Sequence, residues 1–224
     1  SFAMASQDVR YYLNGILLEV SPSQINVVAT DGHRLAWSSC KIKTDFTDEK
    51  IIIPRKSALE LQKLLNLYPE NVNIAFNSNQ LKVFSDEYTF ISKLIEGSYP
   101  DYEKVFPKGT EQKLKANKSL VQTALNRAAV LSNEKYRGVK FILEKDNLKI
   151  CANNPSKESA EEEVLVEYSG DSFEIGFNIS YVQESLSVIS NNEVEFVFFG
   201  SENSCLVKNI DDESLIHVIM PMRL

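Results

Sequence analysis

The feature that most constrains this chain is that it repeats itself. The stretch Asp8-Val9-Arg10-Tyr11-Tyr12-Leu13-Asn14-Gly15-Ile16-Leu17-Leu18-Glu19 has a counterpart in Glu134-Lys135-Tyr136-Arg137-Gly138-Val139-Lys140-Phe141-Ile142-Leu143-Glu144. Each has an acid, a basic–aromatic cluster, a glycine and an apolar strand ending in Glu. Ile25 to Asp31 then matches Leu148 to Asn154 as the following strand. Self-similarity roughly 110–125 residues apart means one α+β unit used twice, each copy burying its own apolar faces.

The elements repeat in the same order. In the first copy, Ile51 to Ile53 reads as a short buried strand, and Pro54 suits the first turn of a helix. Leu59, Leu61, Leu64, Leu65 and Leu67 give that helix an apolar face at helical spacing. After a break at Pro69 come three short alternating segments, Val72 to Phe76, Leu81 to Phe84 and Tyr88 to Ser92, an antiparallel meander. In the second copy a strand at Leu114 to Ala116 leads to Asn117, a good N-cap, and a helix with Leu120, Val121, Leu125, Ala128, Ala129 and Leu131 on one face. Val164 to Val166 and Phe173 to Ile175 read as strands, and Asn178 caps a helix reaching Ile189. Val194 to Phe199, Ser204 to Val207 and Leu215 to Ile219 close the second meander. The Pro- and aromatic-rich stretch from Ser98 to Gly109 reads as the link, which sets domains at 1–107 and 110–224. Only Ser1 to Gln7 stands where the second copy has a strand and a full helix, so the first copy reads as incomplete and the chain as a fragment of a longer protein.

Charge follows the elements. The three expected helices carry +2, +2 and −1, which leaves −10 on the strands and loops of a chain whose net charge is −7. The total argues against a nucleic-acid partner, yet a mildly positive helical face would suit phosphates by long-range attraction, without reading bases. The three cysteines, Cys40, Cys151 and Cys205, are odd in number and widely spaced. They fit neither a disulfide framework nor a zinc site, and suit a reducing cytosol. No apolar run is long enough to span a bilayer.

The one short motif that draws attention is Thr30-Asp31-Gly32-His33-Arg34-Leu35, between two strands. Asp-Gly after a strand signals a tight turn, because glycine takes positive φ without steric cost. Three readings are open for it. It is a plain hairpin turn, part of a binding surface, or an acid–base pair of Asp31 and His33 with Asp211-Asp212-Glu213 as a metal holder. The last lacks support from a glycine-rich phosphate loop or a nucleophile motif, and His217 in an apolar strand reads as a packed core histidine.

Longer stretches carry a resemblance. Gln7 to Gly15, Ala29 to Ala36, Leu131 to Val139 and the terminal Met220-Pro221-Met222-Arg223-Leu224 resemble the bacterial DNA polymerase III beta subunits, the sliding clamps, along essentially the whole chain. The resemblance implies repeated clamp domains, antiparallel sheets outside and two helices on the DNA-facing side, with most of the second domain and all of the third present. It implies a head-to-tail ring dimer around double-stranded DNA, a cytoplasmic, non-catalytic processivity factor with no cofactor and no metal. Its implied partners are the polymerase III alpha subunit, the clamp loader delta subunit, and other polymerases and repair proteins, bound through short peptide motifs. A peptide-binding scaffold without a DNA role is the alternative.

Three sets of residues follow from the resemblance. The partner-peptide cleft would draw Leu13, Thr30, Gly32, His33, Arg34, Leu35 and Pro100 from the first copy. From the second it would draw Val105, Ser204, Val218, Ile219, Met220, Pro221, Met222, Arg223 and Leu224. Two methionines adapt to varied ligands, and a Leu or Phe anchored there would contribute about 1.5–3 kcal/mol on burial. The DNA-facing set would be Gln7, Arg10, Tyr11 and Tyr12, with strand alternation sending the two tyrosines to opposite sides. The ring-closing set would be Val130 and Leu131 with Glu161, Glu162 and Glu163, their partner surface on the missing first domain. The fragment is therefore expected to be a monomer at micromolar concentration.

Overall fold

The computed structural model describes residues 1–43, 45–68 and 71–224. The break read at Pro69 lies outside them. The chain divides into two compact units, Ser1–Tyr102 and Glu103–Leu224.

In unit 1 a 3-10 turn at Tyr11–Leu13 leads into strands β1 (Gly15–Val20), β2 (Gln24–Thr30), β3 (Arg34–Lys41) and β4 (Glu49–Pro54), ordered β3-β2-β1-β4 and antiparallel throughout. Helix α1 (Arg55–Leu67) follows β4 without a gap. The meander β5 (Asn73–Phe76), β6 (Gln80–Phe84) and β7 (Thr89–Lys93) forms the second sheet. Pro54 closes the strand instead of opening the helix's first turn; its φ of −57° and ψ of 146° are extended. Ala58 is the buried residue of α1, and Leu67, half a turn round from it, is 71% exposed, so the leucine face is narrower than its spacing suggests. The core gathers Leu18, Val20, Ile51, Ile53, Leu81 and Val83 around Ala58.

Unit 2 begins with β8 (Gln112–Asn117) and α2 (Lys118–Val130). β9 (Gly138–Glu144), β10 (Asn147–Asn153), β11 (Ser159–Leu165), β12 (Glu167–Tyr168) and β13 (Phe173–Asn178) follow. Then come α3 (Ile179–Ser187), β14 (Glu193–Phe198), β15 (Cys205–Asn209) and β16 (Leu215–Ile219). One sheet runs β11-β10-β9-β13 and the other β12-β8-β14-β15-β16. β9 and β10 alternate strictly between buried and half-exposed residues, as strands with one covered face must. Both helices start on an asparagine whose side chain accepts backbone N–H bonds: Asn117 from Ser119 and Leu120, Asn178 from Ser180. Phe141, Phe177 and Phe196 meet edge to face at the centre of the core.

The repeat is visible in the topology. β1-β2-β3, β4, α1 and β5-β6-β7 correspond in order and pairing to β9-β10-β11, β13, α3 and β14-β15-β16. It extends to the segments after each meander. Ile95 N donates to Ile52 O of β4 at 2.9 Å, and Met222 N donates to Gly176 O of β13 at 2.9 Å. Each unit thus straps its trailing segment across the strand that precedes its last helix. No helix among the described residues is long and apolar enough to cross a membrane.

Candidate functional site

The turn between β2 and β3 is held from within. Gly32 takes φ +88°, the left-handed value that its position after Asp31 requires. Thr30 Oγ1 donates to Arg34 O at 2.6 Å and accepts Gly32 N–H at 3.1 Å. Asp31 Oδ1 accepts the N–H groups of His33 (2.9 Å) and Arg34 (3.1 Å), while Oδ2 takes Arg34 Nε at 3.1 Å. Among the described residues this carboxylate bonds peptide N–H groups and the Arg34 guanidinium, not the His33 ring, so an Asp31–His33 acid–base dyad finds no geometric support. Arg34 is itself buried; it donates to Phe2 O at 2.8 Å and lies over the Phe2 ring. Leu13 and Leu35 are fully buried, His33 and Pro100 exposed. Tyr99, which the motif does not announce, accepts the Thr30 N–H at 3.1 Å. Burial pushes its phenol up to about 12, with the Asp31 charge adding to the rise.

Next to this turn lies the expected DNA-facing set. Arg10 binds Asp8 through Nε (3.0 Å) and a terminal nitrogen (2.8 Å), and its backbone N–H adds a third bond at 2.8 Å. Asn14 closes the same loop onto the backbone of Asp8. The Arg10 side chain and then its backbone N–H hold the Asp8 carboxyl down at about 2. The folded value lies below the ordinary one, so the clamp is complete above about pH 4 and is lost as pH falls through about 2. A 13C titration of the Asp8 carboxyl should give a midpoint near 2; one near 4 would show that Arg10 does not hold it in solution. Tyr11 is exposed and Tyr12 half-buried, edge to face at 5.7 Å. They occupy a 3-10 turn, so helical rotation separates them where strand alternation was expected. Gln7 is exposed, with φ +60°.

In unit 2 the segment Met220 to Leu224 leaves β16, whose Val218 and Ile219 are buried, and crosses β13. Gly176 is there because a Cβ would strike the Met222 carbonyl and the Leu224 side chain. Met220, Pro221 and Met222 are half-buried, as are Ser204 and Val105. A groove of about 520 Å³ beside the segment is lined by Glu202, Met222 and Arg223 among others. The expected cleft residues thus fall in both units.

β11 is an edge strand, and the expected ring-closing residues lie on it or near it. Val130 is 79% exposed at the end of α2, and Leu131 is half-buried. Glu161 and Glu163 both reach Lys149 on β10, at 2.9 and 3.5 Å, while Glu162 pairs with Arg127 of α2 at 3.2 Å. The other α2 cation, Lys118, donates to Ile189 O, so the positive charge of that helix is largely engaged locally. Asp212 caps a turn by accepting Ser214 N–H and an Asn209 bond, and no three candidate metal ligands converge among the described residues. His217 is a core residue, 1% exposed.

The chain's likenesses are consistent along its length. Residues 1–101 match the family described as DNA polymerase III beta subunit, central domain, and residues 103–223 the one described as its C-terminal domain. The chain is similar to the beta sliding clamp of Pseudomonas aeruginosa, 47% identical, and to that of Escherichia coli K12, 42% identical. All of this chain is covered in both comparisons, and it spans 61% of those relatives' length. A crystal structure of the Pseudomonas aeruginosa beta subunit superposes with a TM-score of 0.97 at 46% identity, over the whole chain and 61% of that one. A Pseudomonas aeruginosa sliding clamp bound to griselimycin gives 0.93 at 46% identity, with the same coverage.

Proposed function

The chain belongs to the DNA polymerase III beta subunit family, that of the beta sliding clamps, and from this premise we propose that it works as part of a replication processivity factor. In this reading the whole protein closes as a head-to-tail dimeric ring around duplex DNA in the cytoplasm. It performs no chemistry; it tethers a polymerase by topology, so its phosphate attraction must stay weak and blind to sequence. Locally engaged cations such as Arg127 and Lys118 suit that requirement. Gln7, Arg10, Tyr11 and Tyr12 would meet phosphates, and the open edge of β11 with Val130, Leu131 and Glu161 to Glu163 would close the ring.

Partner proteins would dock as extended peptides in a cleft made from the Thr30–Leu35 turn with Leu13 and Pro100, together with Val105, Ser204 and the Val218–Leu224 segment. Two observations, each made within its own unit, support this reading: the Thr30–Leu35 turn is locked by its own hydrogen bonds, and the strap with Met220 and Met222 is tied to β13 by a backbone bond. A rigid wall beside a soft one can anchor a Leu or Phe from many partners. The test is fluorescence anisotropy of a labelled peptide with a Gln-Leu-x-Leu-Phe core. Micromolar binding that falls more than about tenfold in a Met220→Ala, Met222→Ala chain is expected. Equal binding by both chains would refute the cleft.

A further inference from the structure

The strap, whose Met222, Arg223 and Leu224 belong to the proposed cleft, also borders the outer face of β9 and β10, which the cleft reading does not use. β9 and β10 send Phe141, Leu143, Leu148 and Ile150 into the core, and turn Lys140, Ile142, Lys149 and Cys151 outward. Next to the strap Lys140, Ile142 and Cys151 form one side of a cavity of about 650 Å³, lined also by Tyr136, Met222 and Leu224. Tyr136 is 58% exposed and Leu224 64%, so the cavity leaves large apolar side chains open to water. Leu224 lies directly on β9, since a Cβ on Gly138 would strike its side chain. The surface is therefore continuous with the strap.

Charge narrows what could lie there. Lys140 is paired with Glu174 at 2.8 Å, and Glu161 with Lys149 at 2.9 Å. Arg223, also on the lining, has no ion pair among the described residues. An incoming carboxylate would find one open cation and no unmatched lysine.

We propose that this outer face of β9 and β10 binds the residues flanking the anchors of a docked peptide: an extended segment with one apolar side chain against Tyr136 and Ile142 and one carboxylate at Arg223. The inference rests on the cleft reading and deepens it. It makes the partner's flank, and not only its anchors, a determinant of affinity. It also places the half-buried Cys151 thiol beneath the bound segment.

Two measurements test it on the 224-residue chain. Anisotropy compares the core peptide with versions extended at either end by Gly-Ile-Asp. One extended peptide should bind about tenfold tighter than the core. That gain should vanish in Tyr136→Ala and Ile142→Asp chains, which still bind the core as before. In a Cys40→Ser chain, whose other thiols are Cys151 and the buried Cys205, the extended peptide should slow alkylation of Cys151 and the core peptide should not. No gain from either extension, or a gain that persists in both variants, overturns the proposal. If the core peptide fails to bind, the cleft reading falls. An extended peptide that then still protects Cys151 upholds the sheet face as a site, and one that does not overturns both.

Discussion

Replacing Phe141 by Ala is expected to destabilise unit 2 by about 3–5 kcal/mol, a large part of what holds any domain of this size folded. Phe141 is fully buried on β9, the strand between β10 and β13, and faces Ile150 and Ile175 across its two ladders. Its ring meets Phe177 at 5.4 Å and Phe196, on the other sheet, at 6.3 Å, both edge to face. Truncation removes the ring's buried area and two aromatic pairs, and leaves a void that two hydrogen-bonded sheets cannot collapse to fill. Phe141→Leu keeps much of the volume and should cost about half as much. Urea unfolding followed by far-UV circular dichroism reads the difference; the sole tryptophan, Trp37, belongs to unit 1 and is a poor reporter. A loss below about 1 kcal/mol for the alanine variant would mean that the two sheets do not share a close-packed core.

What could be read from the sequence, and what could not, divides along physical lines. The repeat was legible because an acid, a basic–aromatic cluster, a glycine and an apolar strand ending in Glu recur in order, and the glycine and the apolar run each report a local requirement of the backbone. The residue pattern alone marks β11 only from Val164 on, because Ser159-Ala160-Glu161-Glu162-Glu163 lacks the apolar alternation of a strand, and the strand position of the three glutamates came only from the family resemblance. β11 is a strand whose glutamates are matched across the ladder by Lys149 and by Arg127 of α2, and such pairing has no signature along the chain. The turn at Thr30–Leu35 was legible as a turn from Asp-Gly alone. Its bond to Tyr99, 69 residues away, was not, since nothing in a lone tyrosine names its acceptor role. Gly138 opens β9 and Gly176 lies within β13, and each is a place where the terminal strap comes close, which a glycine in a strand can signal.

Arg34→Ala should be the most damaging single change at the candidate site, costing about 2–3 kcal/mol, because it removes one partner of a nearly buried ion pair. The Arg34 and Asp31 side chains are only 10% and 17% exposed, so the Asp31 carboxylate would be left with little water to replace the guanidinium. Phe2 O would lose its 2.8 Å donor as well. Arg34→Lys keeps the charge but lacks the planar fork that reaches Asp31 and Phe2 together, so it should recover less than half of the loss. Asp31→Asn keeps an acceptor for the His33 and Arg34 N–H groups, but removes the charge and sets an NH2 donor against Arg34 Nε in place of the Oδ2 acceptor. A cycle of Arg34→Ala and Asp31→Asn should therefore show a coupling of about 1–2 kcal/mol, the part of the cost that belongs to the pair and not to the packing of the arginine stem. The same chains separate scaffold from contact surface. If Arg34 acts by fixing the turn, Arg34→Ala and Asp31→Asn should weaken peptide binding in proportion to their loss of stability. If the guanidinium itself meets the peptide, Arg34→Ala should weaken binding far more than Asp31→Asn does at equal stability. Full stability in Arg34→Ala would contradict both, and would assign the turn to Thr30 and its two bonds.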